Sequence, residues 1–304
     1  MVEVIERETL DEAVGDMGSA MDTWTARARL SERIYRILHS GSAENIAGEL
    51  PRSSRDPRFE RVLAHHSPRQ SIPIRVKVRG LPQLRSDGPS RVLVEHDGIR
   101  VWIPETWVDH DCFAIGDEID VRVSRIRPAL SPGFFFLVEN KPILGCTELR
   151  IYIHLVSAEV APPIWYCVLE LLEGYRATYR AKILSRPWLY PRRDALVVYL
   201  AAGCSRLAME IVDLVNPLEG IGEETSVFTQ RLGRGVALGW EPNDPRPEMR
   251  RLSFGQHRAT ALADGLIDRH RGNDGIEVCL DRALRVAGIN PSNPAENLSG
   301  GRLP

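Results

Sequence analysis

Lysine is almost missing from this chain. Of 39 Lys and Arg residues only Lys77, Lys141 and Lys182 are lysines, which leaves 36 arginines (39 − 3). A net charge of −2 gives no overall cationic surface, which speaks against a general nucleic-acid binder, since phosphate-backbone affinity needs an excess of Lys and Arg. No apolar run approaches the roughly 18 to 20 residues of a membrane helix. The acidic start M-V-E-V-I-E-R-E-T-L-D-E lacks the apolar core of a signal peptide, so a cytoplasmic protein without a membrane partner is expected. The sequence has no C-x-x-C, and its 5 cysteines are scattered and not at zinc-ligand spacing from a histidine. They are expected to be reduced and mostly buried, with no metal. G-x-x-x-x-G-K-[ST], G-x-G-x-x-G after a strand, G-x-S-x-G and H-E-x-x-H are absent, so nucleotide chemistry, serine hydrolysis and zinc proteolysis lose their usual support.

What is present can fill two domains, given 304 residues of which 43% are hydrophobic. Residues 1–22 read as a flexible acidic tail. Trp24, Ala28, Ile34, Ile37 and Leu38 fall at helical spacing before a Ser/Gly break at Ser40–Ser42. From Ile72 to Glu139 the pattern shortens to strands: I-P-I-R-V-K-V-R, R-V-L-V-E, I-R-V-W-I-P, E-I-D-V-R-V and F-F-F-L-V. Asp97-Gly98 marks a hairpin, and Gly116-Asp117 and Pro132-Gly133 mark breaks. A helix and a small β-barrel or curled sheet are therefore expected over 23–141. Over 142–304 strands mix with helices. L-R-I-Y-I-H-L-V, Y-R-A-K-I-L and A-L-V-V-Y-L read as strands. Helices are predicted from Pro162, over Ser205–Leu214, over Leu252–Arg271 and over Ile276–Ala287, the last closed by Gly288. Asn216–Met249 is rich in Gly and Pro and predicts a long loop with a short strand. The fold class is α+β.

Lys182 stands among Arg176, Arg180, Arg186, Arg192 and Arg193. An arginine keeps its proton in a protein, whereas a buried lysine beside cations can act as a base. An enzyme that grips a phosphate and removes a neighbouring proton needs that combination; an ordinary strand-edge lysine is the alternative. Strand alternation puts Ile151, Ile153 and Leu155 on one face and Arg150, Tyr152 and His154 on the other. That second face is either a phosphate site with a general acid or a solvated strand face. Arg180 and Lys182 likewise share a face, Arg192 and Arg193 arrive on the following loop, and Tyr199 lies on the next strand. Ser253 and Gln256 have capping-box spacing, so His257 and Arg258 sit in the first turn of a helix, either as a phosphate receptor or beside a plain structural cap.

Together R-I-Y-I-H-L, Y-R-A-K-I-L-S-R-P…Y-P-R-R-D-A-L-V-V-Y-L and S-F-G-Q-H-R, with the earlier G-I-R-V-W-I-P and L-S-P-G-F, resemble the HopA-type type III effector family from about residue 30 to the end. The resemblance implies two settings: bacterial plant-pathogen effectors, and class V lanthipeptide and thioamitide biosynthesis beside a kinase-like protein. In the second, the family is assigned as the lyase that removes phosphate from phosphorylated Ser/Thr of a precursor peptide. The arginine-rich composition is what a high-GC bacterium, the usual home of such clusters, is expected to give, which favours that setting. A more distant similarity to phosphothreonine lyases implies Lys182 as base, with Arg193 or Arg192 and Arg258 as phosphate ligands. Aligning Arg150 with the lysine of that family's K-x-H puts Tyr152 on the histidine, whereas His154 has the acid's chemistry two residues later.

The expected function is thus phosphate β-elimination from phosphoserine or phosphothreonine, giving dehydroalanine or dehydrobutyrine without metal or nucleotide. The catalytic candidates are Lys182, His154 and Tyr152. Arg150, Arg180, Arg192, Arg193 and Arg258 are expected to hold phosphate, with Tyr199 and His257 in support. The expected partners are a phosphorylated precursor peptide and a kinase-like phosphotransferase. The alternatives are a non-catalytic module that binds phosphopeptide or leader peptide for a kinase-like enzyme, and a type III effector. A nucleic-acid-binding barrel is disfavoured by charge.

Overall fold

Valine and isoleucine at every second position build the first sheet. In a computed structural model that describes residues 23–42, 55–85, 88–128, 130–138, 148–272 and 274–299, strands β1 (Ser71–Arg85), β2 (Gly88–His96), β3 (Ile99–Pro104) and β4 (Glu118–Ser124) lie in the order β3-β2-β1-β4. All are antiparallel. Val76, Val78, Val92, Val94, Ile103, Ile119 and Val121 form its core. The predicted Asp97-Gly98 hairpin is there, both residues at positive φ (49° and 77°), as a turn matched to strand twist requires. The expected tail, Lys141 and Cys146 lie outside the described residues.

The second sheet has 6 strands in the order β5-β7-β8-β6-β10-β9, again antiparallel throughout. They are β5 (Phe134–Leu137), β6 (Glu148–Leu155), β7 (Tyr179–Leu184), β8 (Arg192–Ala201), β9 (Gln230–Gly233) and β10 (Val236–Trp240). Three expectations change here. Phe134–Leu137, expected as the fifth strand of the small β-domain, pairs instead with β7. Its residues are all buried, and a strand without polar alternation belongs inside a covered sheet. Arg192 and Arg193, expected on a loop, begin β8. The Gly/Pro-rich stretch yields a hairpin, β9–β10, and the buried β10 pairs with β6.

Helices cover both faces of this sheet. Ile151, Ile153, Leu155, Leu196 and Val198 pack with Trp165 and Leu169 of α3 (Ala161–Gly174) and Ile211 and Val215 of α4 (Arg206–Val215); Leu63 of α2 (Pro57–His65) joins the same core. On the opposite face Phe136, Tyr152, Val197 and Tyr199 meet α1 (Thr23–Ile34), α5 (Phe254–Arg271) and α6 (Ile276–Val286). The buried stripe of α1 is Leu30, Ile34 and, one turn on, Leu38, whereas Trp24, expected among the apolar positions, is 77% exposed. That stripe rests on α5, with Ser31 2.8 Å from Thr260 and Arg27 2.9 Å from Asp264. The N-terminal helix therefore packs on the C-terminal body rather than belonging with the small sheet. It runs into a π-helix, Tyr35–Ser40, that stops at Gly41 with φ 79°. No described helix is long and apolar enough to cross a membrane.

Candidate active site

Cross-strand register brings the predicted side chains into rows. Arg150 on β6 and Arg180 on β7 both lie opposite Tyr199 on β8, and their guanidinium carbons stand 5.0 and 5.3 Å from the centre of its ring. In the next row Tyr152, Val197, Lys182 and Phe136 follow one another across β6, β8, β7 and β5. Two strand spacings, roughly 10 Å, thus separate the backbones of Tyr152 and Lys182. The face expected to be either a phosphate site or solvated is largely roofed: Arg150 is 8% and Tyr152 4% exposed.

Lys182 is half-buried, with its Nζ 4.3 Å from the centre of the Phe134 ring. Among the described residues its ammonium has no carboxylate or hydrogen-bond partner. Arg192 lies over the same ring at 5.8 Å, yet its charge is matched. Its Nε and Nη2 each donate to Asp194 at 2.7 Å, and Nη2 also donates to the Tyr35 hydroxyl at 3.1 Å. Tyr35 in turn donates to Asp194 at 2.8 Å. Burial acts to raise the Asp194 carboxyl, but Arg192 outweighs it and holds that group well below the usual carboxylate range.

The π-helix supplies His39 as well as Tyr35, and neither they nor Asp194 stood out in the sequence as site residues. His39 Nδ1 is 2.8 Å from Ser226 Oγ, its Nε2 3.9 Å from Asp194, and its ring 5.2 Å from that of Tyr152. Burial, ahead of the opposing pull of Asp194, lowers it to about 4, so the imidazole is neutral near pH 7. Burial likewise raises Tyr152 against the pull of Arg150, which keeps the phenol protonated.

The remaining predicted residues are engaged with partners of their own. His154 Nδ1 is 3.0 Å from the Glu224 carbonyl oxygen, and its ring lies against Gly222, where an added Cβ would be 2.3 Å from Nδ1. Burial lowers this imidazole, against the opposing effect of that carbonyl. Arg193 pairs with the Glu224 carboxylate, Nε at 3.0 Å, and donates from Nη1 to the Ile37 carbonyl at 3.0 Å. Arg150 pairs with Glu241 and Arg180 with Glu148.

Arg258 and His257 have roles inside the protein. Arg258 is 0% exposed and donates to Pro294 O at 3.2 Å and Asn297 Oδ1 at 2.9 Å, which ties down the C-terminal segment. Its Nη1 is 3.2 Å from His257 Nδ1, and His257 Nε2 is 3.0 Å from Asp244. Burial, then Arg258, lowers His257 to about 4, so its Nδ1 accepts from Arg258 while Nε2–H donates to Asp244. Burial lowers Arg258 to about 9, still high enough for it to be charged at neutral pH. The predicted capping box is present, with Gln256 N 3.4 Å from Ser253 Oγ. The helix start is nevertheless no open phosphate receptor, since an added Cβ on Gly255 would be 2.2 Å from the His39 ring. In this arrangement Arg258 meets no incoming phosphate. Among the described residues no group of three or more His, Cys, Asp or Glu is placed to hold a metal ion.

A helix-covered antiparallel sheet that carries arginines, phenols and, among the described residues, one unpaired lysine on an inner face makes this an α+β protein with a cation-lined inner face. The chain belongs to the HopA1 effector protein family, whose model matches residues 126–296. That range holds the whole six-stranded sheet and leaves out the four-stranded one. Among solved structures the chain is similar to the effector protein from Pseudomonas syringae pv. tomato strain DC3000, with 16% identity, TM-score 0.52, and 95% of this chain and 96% of that one covered. It is also similar to the effector protein from Pseudomonas syringae pv. syringae strain 61, with 16% identity, TM-score 0.50 and the same coverage. These likenesses concern the fold. No curated protein matches the chain.

Proposed function

We propose that this chain is a lyase that eliminates phosphate from phosphoserine or phosphothreonine of a ribosomal precursor peptide, in class V lanthipeptide or thioamitide biosynthesis. The observation that carries this reading is Lys182, an ammonium without a counter-ion among the described residues, on a sheet face where the neighbouring arginines have theirs. In the reaction the neutral Lys182 amine takes the Cα proton. The Cα–H electrons form the Cα=Cβ bond, and the Cβ–O bond breaks with its electrons leaving on phosphate. The cations oppose the charge that grows on the leaving group, and Tyr152 or His154 is the candidate acid. A kinase-like partner supplies the phosphopeptide, because the chain carries no nucleotide-binding signature.

A synthetic phosphothreonine peptide incubated with the purified chain, without kinase or ATP, is expected to lose phosphoric acid by mass. Binding without loss would leave the alternative of a phosphopeptide-holding partner. The likeness to two Pseudomonas syringae effector proteins supports a second setting, an effector acting on a phosphorylated host protein. A chain that processes phosphoprotein but not precursor peptide would favour it.

A further inference from the structure

Arg150, Arg180, Arg192, Arg193 and Arg258 each have an acceptor inside the chain. Arg186, two residues beyond β7, does not. Its Nε is buried without a hydrogen-bond partner, and among the described residues its side chain has no ion pair. The guanidinium lies on the turn that leads into β5: a Cβ added to Gly133 would be 2.6 Å from Nη2. The next residue is Phe134, the ring that Lys182 approaches at 4.3 Å and Arg192 at 5.8 Å. Arg186 thus stands at Gly133 and Lys182 over the ring of the next residue, and among the described residues neither has a counter-ion. Trp188 Nε1, on the short turn Pro187–Leu189, is another buried donor without a partner.

An unmatched cation costs free energy in proportion to its burial. Burial, and then the charge of Arg192, both act against the protonated form of Arg186. Nothing in the described chain offsets this, which leaves the guanidinium available to an anion from outside. A phosphomonoester carries about −1.5 to −2 at pH 7, and a guanidinium, which keeps its proton, is a standing partner for that charge. A guanidinium fork also matches two phosphate oxygens, whereas a lysine meets one as a point charge.

We infer that Arg186 is a phosphate ligand of the site that holds Lys182, and that it grips the leaving group while Lys182 works on the adjacent carbon. Identifying the anion as the substrate's phosphate rests on the lyase reading; the subsite itself rests on the two unmatched charges. Gly133 is part of the design, because a side chain there would occupy the place of the guanidinium.

The test is titration of the full chain with a phosphothreonine peptide, its unphosphorylated twin and inorganic phosphate. Arg186→Gln is expected to weaken phosphopeptide binding about 30-fold or more, the lower end for removing one member of a desolvated charge pair, and to leave the twin unaffected. Arg186→Lys should recover part of the loss. Since a variant can misfold, the parent's arginine Nε–H resonances are followed as inorganic phosphate is added, and the signal missing from Arg186→Lys is expected to shift. Parent-like phosphopeptide binding by Arg186→Gln, or an unmoved signal, would overturn the inference. Elimination by both parent and Arg186→Gln with the same KM would do so too, while leaving the lyase reading intact. Phosphate binding that depends on Arg186 in a chain that never eliminates would keep the subsite and remove the lyase.

Discussion

The two sheets handle charge in opposite ways. On the four-stranded sheet Arg75 meets Asp120 at 2.8 Å and Arg79 meets Glu95 at 2.8 Å, both on the face away from the valine core. Lys77 stands exposed between those arginines on the same strand. Such pairs contribute little, because water already solvates both partners. On the six-stranded sheet the charges stand under helices, each cation needs a partner of its own, and a cation left without one is informative. Lys77 and Lys182 are both strand lysines in β-type sequence, but Lys77 faces water, whereas Lys182 is half-buried on a helix-covered sheet with no partner among the described residues.

The sharpest break of this comparison exchanges lysine for arginine in both sheets. Lys182→Arg keeps the charge but has no neutral form near pH 7, so elimination in single-turnover mass measurements is expected to fall about 10²- to 10⁴-fold. Lys77→Arg should leave the rate unchanged. A near-parent rate in Lys182→Arg would mean that the base lies elsewhere.

Removing a carboxylate from each sheet tests stability in the same way. Asp194→Ala leaves Arg192 buried without its counter-ion, a loss of about 3–5 kcal/mol in denaturant unfolding. Glu95→Gln, on the open face, should give no resolvable shift of midpoint. Equal effects would erase the distinction between the two sheets.

Acid should act first on the covered side. His39 titrates near 4 in the folded protein against an ordinary value of 6.5, so between those values the unfolded chain binds a proton that the folded chain refuses. Stability is therefore full above pH 6.5 and falls as the pH drops to 4, by up to about 3 kcal/mol for this group. His257 acts in the same direction, so His39→Gln should flatten the profile without abolishing its slope. A profile unchanged by that substitution would show that His39 is not the group titrating.

Much of this was legible in the sequence and some was not, for definite reasons. Alternation in R-I-Y-I-H-L put Ile151, Ile153 and Leu155 on one side and Arg150 and Tyr152 on the other, because a strand's period is local. The same alternation could not say that α1 and α5, about a hundred residues away on opposite sides, would cover the polar face. Phe134–Leu137 read as a strand from composition alone, but a run without polar positions carries no record of which sheet it joins. The capping box at Ser253 was legible for the same local reason, whereas the closure of that helix start by His39 depends on a segment more than two hundred residues earlier. Tyr35 and His39 were hidden in a helical run, since nothing in Y-R-I-L-H-S signals a π-turn.

The contact between α1 and the rest of the molecule bears on the order of folding. Tyr35 reaches Asp194 across 159 positions and Ser31 reaches Thr260 across 229, whereas the β2–β3 hairpin closes around Asp97-Gly98. Closing a long loop has to be met by contacts that form only at the end, so local hairpins come first and distant pairings set the pace. The four-stranded sheet lies within residues 71–124 and can assemble while the chain is still being made. The roof over Tyr152 cannot, because the first helix has nowhere to dock until α5 exists. A nascent chain that ends before Thr260 thus carries a formed small sheet and no enclosed site.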